Sequence, residues 1–420
     1  MISQDSTFAI DSEGRVYCIK CHTRFPRLKQ TKQKRVFRSA KDKDLAFEHE
    51  NKDLAMIIRF DKDTLVIEDM EEPEKVHTFT LDKAIASVYE LDYKYHITYK
   101  DTSCQVLDFK PFIFICKGQT KGEYILNIDM QDENRGYYFG LYEIGEFELI
   151  NEKRINIIRS HALHYVDKGW VTKDKTLILS LRYHLNREEE TQDYSIVEYT
   201  WEKNALPVKI WEITPTYSLN ALVELDKNFI VFGYLNGSIG LFSKEKRKVL
   251  KTANIFNSGF LHMRLNGQKI YCSSFKGEIA CITTKGEKIW KKKLTDSPIY
   301  NIEIKDDHLH VITIRRTYFI LKQETGEEVR KKDLLDNPAR SFSSNFIFYK
   351  NWIILSGDAH MVHIPESEKV YTIYSDDPLI RVVKYHPKGY LTGDDEGKIK
   401  FWGYEKVYFL SKRYTESLLV

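Results

Sequence analysis

The sequence predicts an all-β chain of repeating four-stranded units closed on themselves as a β-propeller, and three observations lead there. Aromatic residues make up 13% of the 420 residues, with 26 Tyr and 23 Phe, and β-branched residues are frequent throughout; both classes favour the pleated surface of a strand. One short pattern recurs along the chain: GRVYCIK (Gly14–Lys20), GSIGLFS (Gly237–Ser243), GEIACIT (Gly277–Thr283) and GKIKFWG (Gly397–Gly403). A second pattern precedes these and keeps a fixed step. SLNALVEL begins at Ser218, SGFLHMRL at Ser258, SPIYNIEI at Ser297, ARSFSSNF at Ala339 and PLIRVVKY at Pro378, giving steps of 40, 39, 42 and 39 residues. A period near 40 with several short strands per unit marks propeller blades, each of which must stack on neighbours to bury its faces.

Each unit reads as strand a, turn, strand b, tight turn, strand c, turn, strand d. The b strands FIVFGYLN, KIYCSSFK and GYLTGDDE lead into Asn236-Gly237, Lys276-Gly277 and Glu396-Gly397. These pairs suit two-residue hairpin turns in which glycine supplies the positive φ. The first half of the chain continues with less regular spacing. Runs over 53–81, 84–109 and 111–153 resemble further blades, and 161–213 forms a longer unit. In that unit TLILSLRY and HLNREEETQDYSIVEY imply a hairpin extended past its neighbours, with Asn186, Arg187, Glu188, Glu189 and Glu190 at its tip. The expected architecture is a single propeller over 1–420 with seven or eight blades, leaning to eight. The N-terminal hairpin 7–20 and a C-terminal strand 415–420 are expected to close the ring, which removes two free sheet edges. The repeats are clearest over 218–410.

SLNALVELDKNFIVFGYLNGSIGLFSKEKRKVLKT and PLIRVVKYHPKGYLTGDDEGKIKFWGYEKVYFL resemble WD-repeat blades, and TTKGEKIWKKKL and ETGEEVRKK are similar to quinoprotein-type propellers. The resemblance covers Ser218–Leu410 and is degenerate. Trp402 stands where the family has its Trp, but Gly403 follows instead of Asp, and Phe242-Ser243 fills the same place elsewhere. No Gly-His pair opens the blades. The resemblance implies a protein-interaction platform whose d–a and b–c loops gather on one docking face. Carried over by position, that face shows Arg315, Arg316, Arg340, His360, Asp376 and Asp377.

Composition excludes several classes. Charge is nearly balanced, 64 Lys+Arg against 61 Asp+Glu, which argues against a wholesale polyanion binder. The opening MISQDSTFAIDSEG lacks the basic and apolar regions of a secretory signal, and no apolar run reaches membrane-helix length. Six scattered cysteines do not make a disulfide scaffold, so reduced thiols and a cytoplasmic location are expected.

Candidate chemistry is sparse. Cys18, Cys21 and His22 spell the haem-attachment spacing C-x-x-C-H. Side chains alternate along a strand, so two cysteines three apart point to opposite faces and one haem cannot take both. No haem is expected, and no other cofactor. His308 and His310 share a strand face, but packing is the commoner use of such a pair than metal ligation. Cys272 and Cys281 fall directly opposite each other if Lys276-Gly277 is a two-residue turn, which would allow a redox pair, although two buried small hydrophobes are the commoner use of such a pair. Asn236-Gly237-Ser238 matches a glycosylation sequon and Asp394-Asp395-Glu396 an acidic cluster, and both read as turn chemistry. The stretch Lys20–Arg38 carries eight basic residues and no acid; it is expected to be an exposed loop, with weak, salt-sensitive nucleic-acid binding as its functional alternative. No phosphate loop, H-E-x-x-H or nucleophile elbow is present. The function expected is therefore a non-catalytic scaffold or adaptor binding protein partners, with no membrane contact. The alternatives are a propeller enzyme acting on a small molecule or glycan in the central channel, and a nucleic-acid-associated propeller.

Overall fold

The computed structural model describes residues 8–10, 16–18, 35–38, 46–51, 55–61, 63–91, 94–101, 103–122, 124–163, 165–186, 191–202, 205–334, 345–350, 352–357, 359–363, 370–374, 379–411 and 414–415. Among these residues every regular element is a strand. The chain divides into two compact units, Met1–Lys110 with Tyr408–Val420, and Pro111–Val407, where the sequence suggested one propeller.

In the smaller unit, Ala46–Asn51, Met56–Asp61, Thr64–Asp69 and Val76–Thr80 form an antiparallel four-stranded sheet. Met56, Ile58 and Phe60 are buried while the residues between them are not, the period of two that a half-buried strand requires. Ile85–Leu91, Lys94–Tyr99 and the start of Ser103–Gln119 pair in order. Arg35–Arg38 pairs with Ile85–Leu91, so the end of the basic stretch is a strand and not loop; its residues 20–34, including Cys21 and His22, lie outside the described residues. The N-terminal hairpin is present as Phe8–Ile10 against Val16–Cys18, a sheet of two strands on its own. At the other end Tyr414–Thr415 pairs with Ser103–Cys104. Residues 416–420 are outside the described set.

The larger unit is a closed ring of sheets. Six antiparallel four-stranded sheets follow one another along the chain. Their first strands are Ile125–Met130, Tyr165–Val171, Leu219–Glu224, Phe260–Asn266, Ile299–Lys305 and Phe346–Tyr349. A seventh sheet combines Ile380–His386, Gly389–Asp394 and Lys398–Leu410 with the second part of Ser103–Gln119 as fourth strand. Contacts between first strands run from Ile125–Met130 as far as Ile299–Lys305, and from Phe346–Tyr349 through Ile380–His386 back to Ile125–Met130; the bond from Asn301 Nδ2 to the Phe346 carbonyl joins the two runs, so first strands line the centre and fourth strands the circumference. Chain segments from both sides of the repeats, 111–119 and 380–407, thus supply this seventh sheet; the closure expected of 7–20 and 415–420 falls largely outside the described residues. The runs 53–109 behind the lean to eight blades belong to the smaller unit.

The core of this ring is a set of apolar layers between neighbouring sheets. Ile178, Trp211, Phe232 and Phe242 fill the layer between the second and third sheets. Val231, Phe260, Ile270 and Cys272 fill the next, and Tyr271, Cys281, Val311 and Phe319 the one after. Ile128, Phe147, Leu391 and Phe401 join the seventh sheet to the first. A sheet with such a layer on each side is covered on both faces, which explains why strands b and c read as continuous apolar runs.

The tight turns differ from the expected two-residue form. Gly233 pairs with Ile239, Ser273 with Ile279 and Gly393 with Ile399, leaving three-residue loops in which Gly237, Gly277 and Gly397 hold φ of 85°, 70° and 75°. This is the type I turn closed by a left-handed residue. One consequence is that Cys272 faces Ala280, not Cys281. The two thiols lie in different apolar layers, on opposite faces of one sheet. The pairing needed for a redox couple is absent.

Candidate functional site

Six of the seven first strands carry a register shift near their start, between Ile125/Asn127, Val166/Lys168, Leu219/Ala221, Phe260/His262, Ile299/Asn301 and Ile380/Val382. A bulge inserts one unpaired residue and re-aims its side chain. Here each inserted residue faces the central channel, which has a volume of about 680 Å³. The bulges also set side chains against the next sheet, and a belt of hydrogen bonds results. Asn127 Nδ2 donates to the Gly169 carbonyl (2.9 Å), Lys168 Nζ to that of Asn220 (2.7 Å) and Asn220 Nδ2 to that of Phe260 (3.0 Å). Arg264 Nε donates to the Ile302 carbonyl (3.2 Å), while the Ile302 N–H donates to His262 Nδ1 (3.2 Å). Asn301 Nδ2 reaches the Phe346 carbonyl (2.9 Å) and Asn345 Nδ2 that of Val383 (3.1 Å). Lys384 Nζ completes the circle on Asp129 Oδ1 (2.7 Å). All seven sheet-to-sheet junctions are bridged.

Most ionisable groups of the channel are engaged by these bonds or by ion pairs beside them. Asp129 pairs with Lys384, Glu303 with Arg264, and Asp167 with Arg182 while accepting from Ser218 Oγ at 3.2 Å. Burial lowers the Lys168 ammonium to about 8 and holds His262 well below 6.5. His262 is therefore a neutral acceptor for a backbone N–H at neutral pH, and Lys168 is committed to carbonyls. Such an arrangement stiffens a wall; it does not set an acid and a base against a common point.

The mouth of the channel is different in character. In an up-and-down sheet the second turn and the connection to the next sheet lie at the same end, and hydrogen bonds tie them: the Leu235 N–H donates to Ser218, Phe275 to Gly259 and Ile314 to Pro298. Tyr142, Tyr217, Leu235 and Tyr124 sit on these loops with 59%, 47%, 42% and 37% of their surface exposed. Tyr142 packs edge-on to Tyr165 at 5.6 Å between centroids, with Arg182 over the Tyr165 ring at 4.8 Å. Arg381 stands over Tyr124 at 5.5 Å. Phe275 meets Tyr300 at 6.4 Å. Leu235 and Phe275 both crowd the Cα of Gly259, where a Cβ would lie 2.9 and 3.0 Å from them. The result is a loop end rich in tyrosine and arginine.

Of the residues expected on a docking face, Arg315 is exposed on a turn of this end. Arg316 is not on the surface: it is 1% exposed. It occupies the place that Gly237, Gly277 and Gly397 hold in other sheets, with φ of 61° and its carbonyl accepting from the Leu334 N–H, so the turn geometry carries its side chain inward. Arg340, Asp376, Asp377, Arg187, Glu188, Glu189 and Glu190 lie outside the described residues. His360 and Asn186 are placed only as strand residues, in Ala359–His363 and Leu177–Asn186. The long hairpin is present in its strands: Leu177–Asn186 and Thr191–Thr200 have ten residues each, against six for Phe229–Tyr234 and Ser238–Ser243.

The other candidates have ordinary structural uses. His310 is buried, with Nδ1 2.5 Å from the Tyr318 hydroxyl, and His308 Nδ1 lies 2.7 Å from the Asp306 carbonyl. Asn236 Oδ1 accepts from the Ser238 N–H and hydroxyl, and Asp394 Oδ1 from the Glu396 and Lys398 N–H groups, closing the two turns. Among the described residues no group of three or more His, Cys, Asp or Glu is placed to hold a metal ion. No helix there is long and apolar enough to cross a membrane. The belt was missed in sequence; its signal is a polar residue inside each otherwise apolar repeat, such as Asn220 in SLNALVEL, His262 in SGFLHMRL and Asn301 in SPIYNIEI.

No family model matches this chain, and no curated protein matches it. Solved structures do: the WD40 β-propeller domain of Doa1 is similar with a TM-score of 0.56 at 10% identity, over 70% of this chain and 97% of that one. Trp402 supports the likeness locally, since its Nε1 donates to Thr392 Oγ1 at 3.1 Å across the strand pair. At that identity the likeness establishes architecture alone, and the fold is that of a WD40-like β-propeller.

Proposed function

We propose that this chain is a non-catalytic interaction platform of a cytoplasmic complex, and that it binds protein partners at the loop end of the channel. The observation that carries this reading is that half-exposed Tyr142, Tyr217, Leu235 and Tyr124 lie on loops of one end, with Arg182 and Arg381 beside tyrosine rings. Tyrosine and arginine are enriched in binding hot spots: the tyrosine ring buries a large area with few rotors lost, and the planar arginine fork stacks on rings and pairs with carboxylates. A wall stitched at all seven junctions keeps those loops in place before a partner arrives, so little ordering entropy is lost on binding. Arg315 belongs to the same end, and Arg340, Asp376 and Asp377 are proposed to join it. The tip Asn186–Glu190 of the long hairpin and His360 are proposed to contribute.

The rival enzyme reading finds less support, because the channel carboxylates are each spent on an ion pair. The test is affinity capture from the native host with the wild type and with a Tyr142→Ser, Tyr217→Ser, Leu235→Ser variant of unchanged melting temperature. The variant is expected to lose partners that the wild type retains. If it captures every partner at wild-type levels, this end is not the docking face.

A further inference from the structure

A second surface stands out on the circumference of the ring, away from the mouth. The fourth strands of the third and fourth sheets are Lys248–Asn254 and Lys288–Lys293. From Lys244 to Lys251 there are five cations and one acid, and from Lys285 to Lys293 again five cations and one acid. Lys246, Arg247, Lys248 and Lys251 on one sheet, with Lys285, Lys288 and Lys292 on the next, are exposed. Among the described residues none of them has a carboxylate within ion-pair distance. The two sheets are neighbours, and Lys251 Nζ donates to the Lys285 carbonyl at 3.2 Å, so the charges form one belt.

Protection of an open edge explains part of this. Outer strands need a lysine or a bulge to prevent edge-to-edge pairing, and Val208–Ile213 manages with a bulge and Lys209, itself paired with Glu212. The fifth sheet balances four cations with four acids from Lys322 to Asp333. The excess on the third and fourth sheets goes beyond that need. A second feature overlaps it. The residue inserted at the bulge is Leu250 in one strand and Ile289 in the next, and these are 42% and 45% exposed. Each aliphatic side chain therefore stands among lysines.

We propose that this belt docks an acidic polypeptide segment carrying interspersed aliphatic residues. Both halves of the surface then find a complement: carboxylates meet the unpaired lysines, and apolar side chains cover Leu250 and Ile289. A nucleic-acid backbone would satisfy the charge but leave the aliphatics against phosphate. Trp290, the aromatic residue of these strands, is partly buried and donates its Nε1 to the Gln323 carbonyl, so it offers no free face for base stacking.

The test is fluorescence anisotropy on the full chain with a labelled peptide of repeated Glu-Glu-Leu, a labelled peptide of repeated Lys-Lys-Leu and a labelled oligothymidylate. The acidic peptide should bind, the basic one should not, and affinity should fall on the order of tenfold as salt rises from low to physiological strength. Joint replacement Lys248→Glu, Lys251→Glu, Lys288→Glu, Lys292→Glu should weaken binding by at least about tenfold, with the milder Lys→Gln set weakening it less. Leu250→Ser with Ile289→Ser should also weaken it. Reversal of Lys121, Lys153, Lys175 and Lys227 to Glu should leave it nearly unchanged, as should the mouth variant above. Absence of binding, equal loss in the control reversal, or oligothymidylate binding as tight as the acidic peptide would each overturn the proposal.

Discussion

Replacing Gly277 by alanine should cost far more stability than replacing Gly267, although both hold a left-handed backbone in the same sheet. Their φ values are 70° and 57°. An alanine at Gly267 finds nothing within 4 Å of its Cβ, so it bears only the cost of the conformation, about 1–2 kcal/mol, partly offset by a less flexible unfolded chain. The net loss there is about 1 kcal/mol. At Gly277 the same methyl would lie 2.7 Å from the Ser297 carbonyl oxygen and overlap that of Thr295. Those atoms are backbone in the connection to the next sheet and cannot swing aside as a side chain can. Moving them also loosens the bonds from the Leu294 and Thr295 N–H groups to the Gly277 carbonyl, 3.0 and 3.4 Å long, at about 1 kcal/mol each. The expected loss is therefore about 3 kcal/mol for Gly277→Ala, read as a shift in urea midpoint at constant slope. Equal losses for the two variants would refute the view that close approach between sheets, and not turn geometry alone, requires glycine at this place.

Lys384→Met should cost about 1 kcal/mol, because Lys384 is partly exposed and its pair with Asp129 is screened; Asp129→Asn in the same chain should recover most of it in a double-mutant cycle. His310 is held neutral, its pKa pushed by burial down to about 4. The unfolded chain takes up that proton first as pH falls below about 6.5, so stability present at neutral pH is lost between about 6.5 and 4, by at most about 3 kcal/mol. His262 acts in the same direction. Urea midpoints across this range should fall for the wild type and fall less for His310→Gln; equal slopes would assign the loss elsewhere. Iodoacetamide should spare Cys116, Cys272 and Cys281 in the native protein, since burial raises all three thiols, and rapid alkylation of any at neutral pH would contradict their placement. Shortening Asn186–Asp193 to Asn-Gly should leave the melting temperature nearly unchanged, because the ladder from Leu177–Tyr199 to Arg182–Tyr194 remains, while weakening capture of any partner that uses the hairpin.

The strands, their order and the repeat were legible in the sequence because they rest on local chemistry. Alternation such as Met56-Ile58-Phe60, apolar runs such as FIVFGY, and a glycine at each tight turn need no knowledge of distant neighbours. Other features depended on the neighbours. A three-residue turn and a two-residue turn share the Lys-Gly signature, and only the ladder from Ser273 to Ile279 shows which is present and sends Cys272 and Cys281 to opposite faces. Arg316 reads as a surface arginine, yet it replaces a turn glycine and is carried inward by a left-handed backbone. The segments that supply the seventh sheet are 111–119 and 380–407, set by pairing across almost the whole length of the larger unit. No local pattern encodes pairing at that separation, whereas hydrogen bonding of otherwise open edges does. The belt around the channel is the same case: each polar residue looks anomalous in its own strand and finds its partner only in the next sheet.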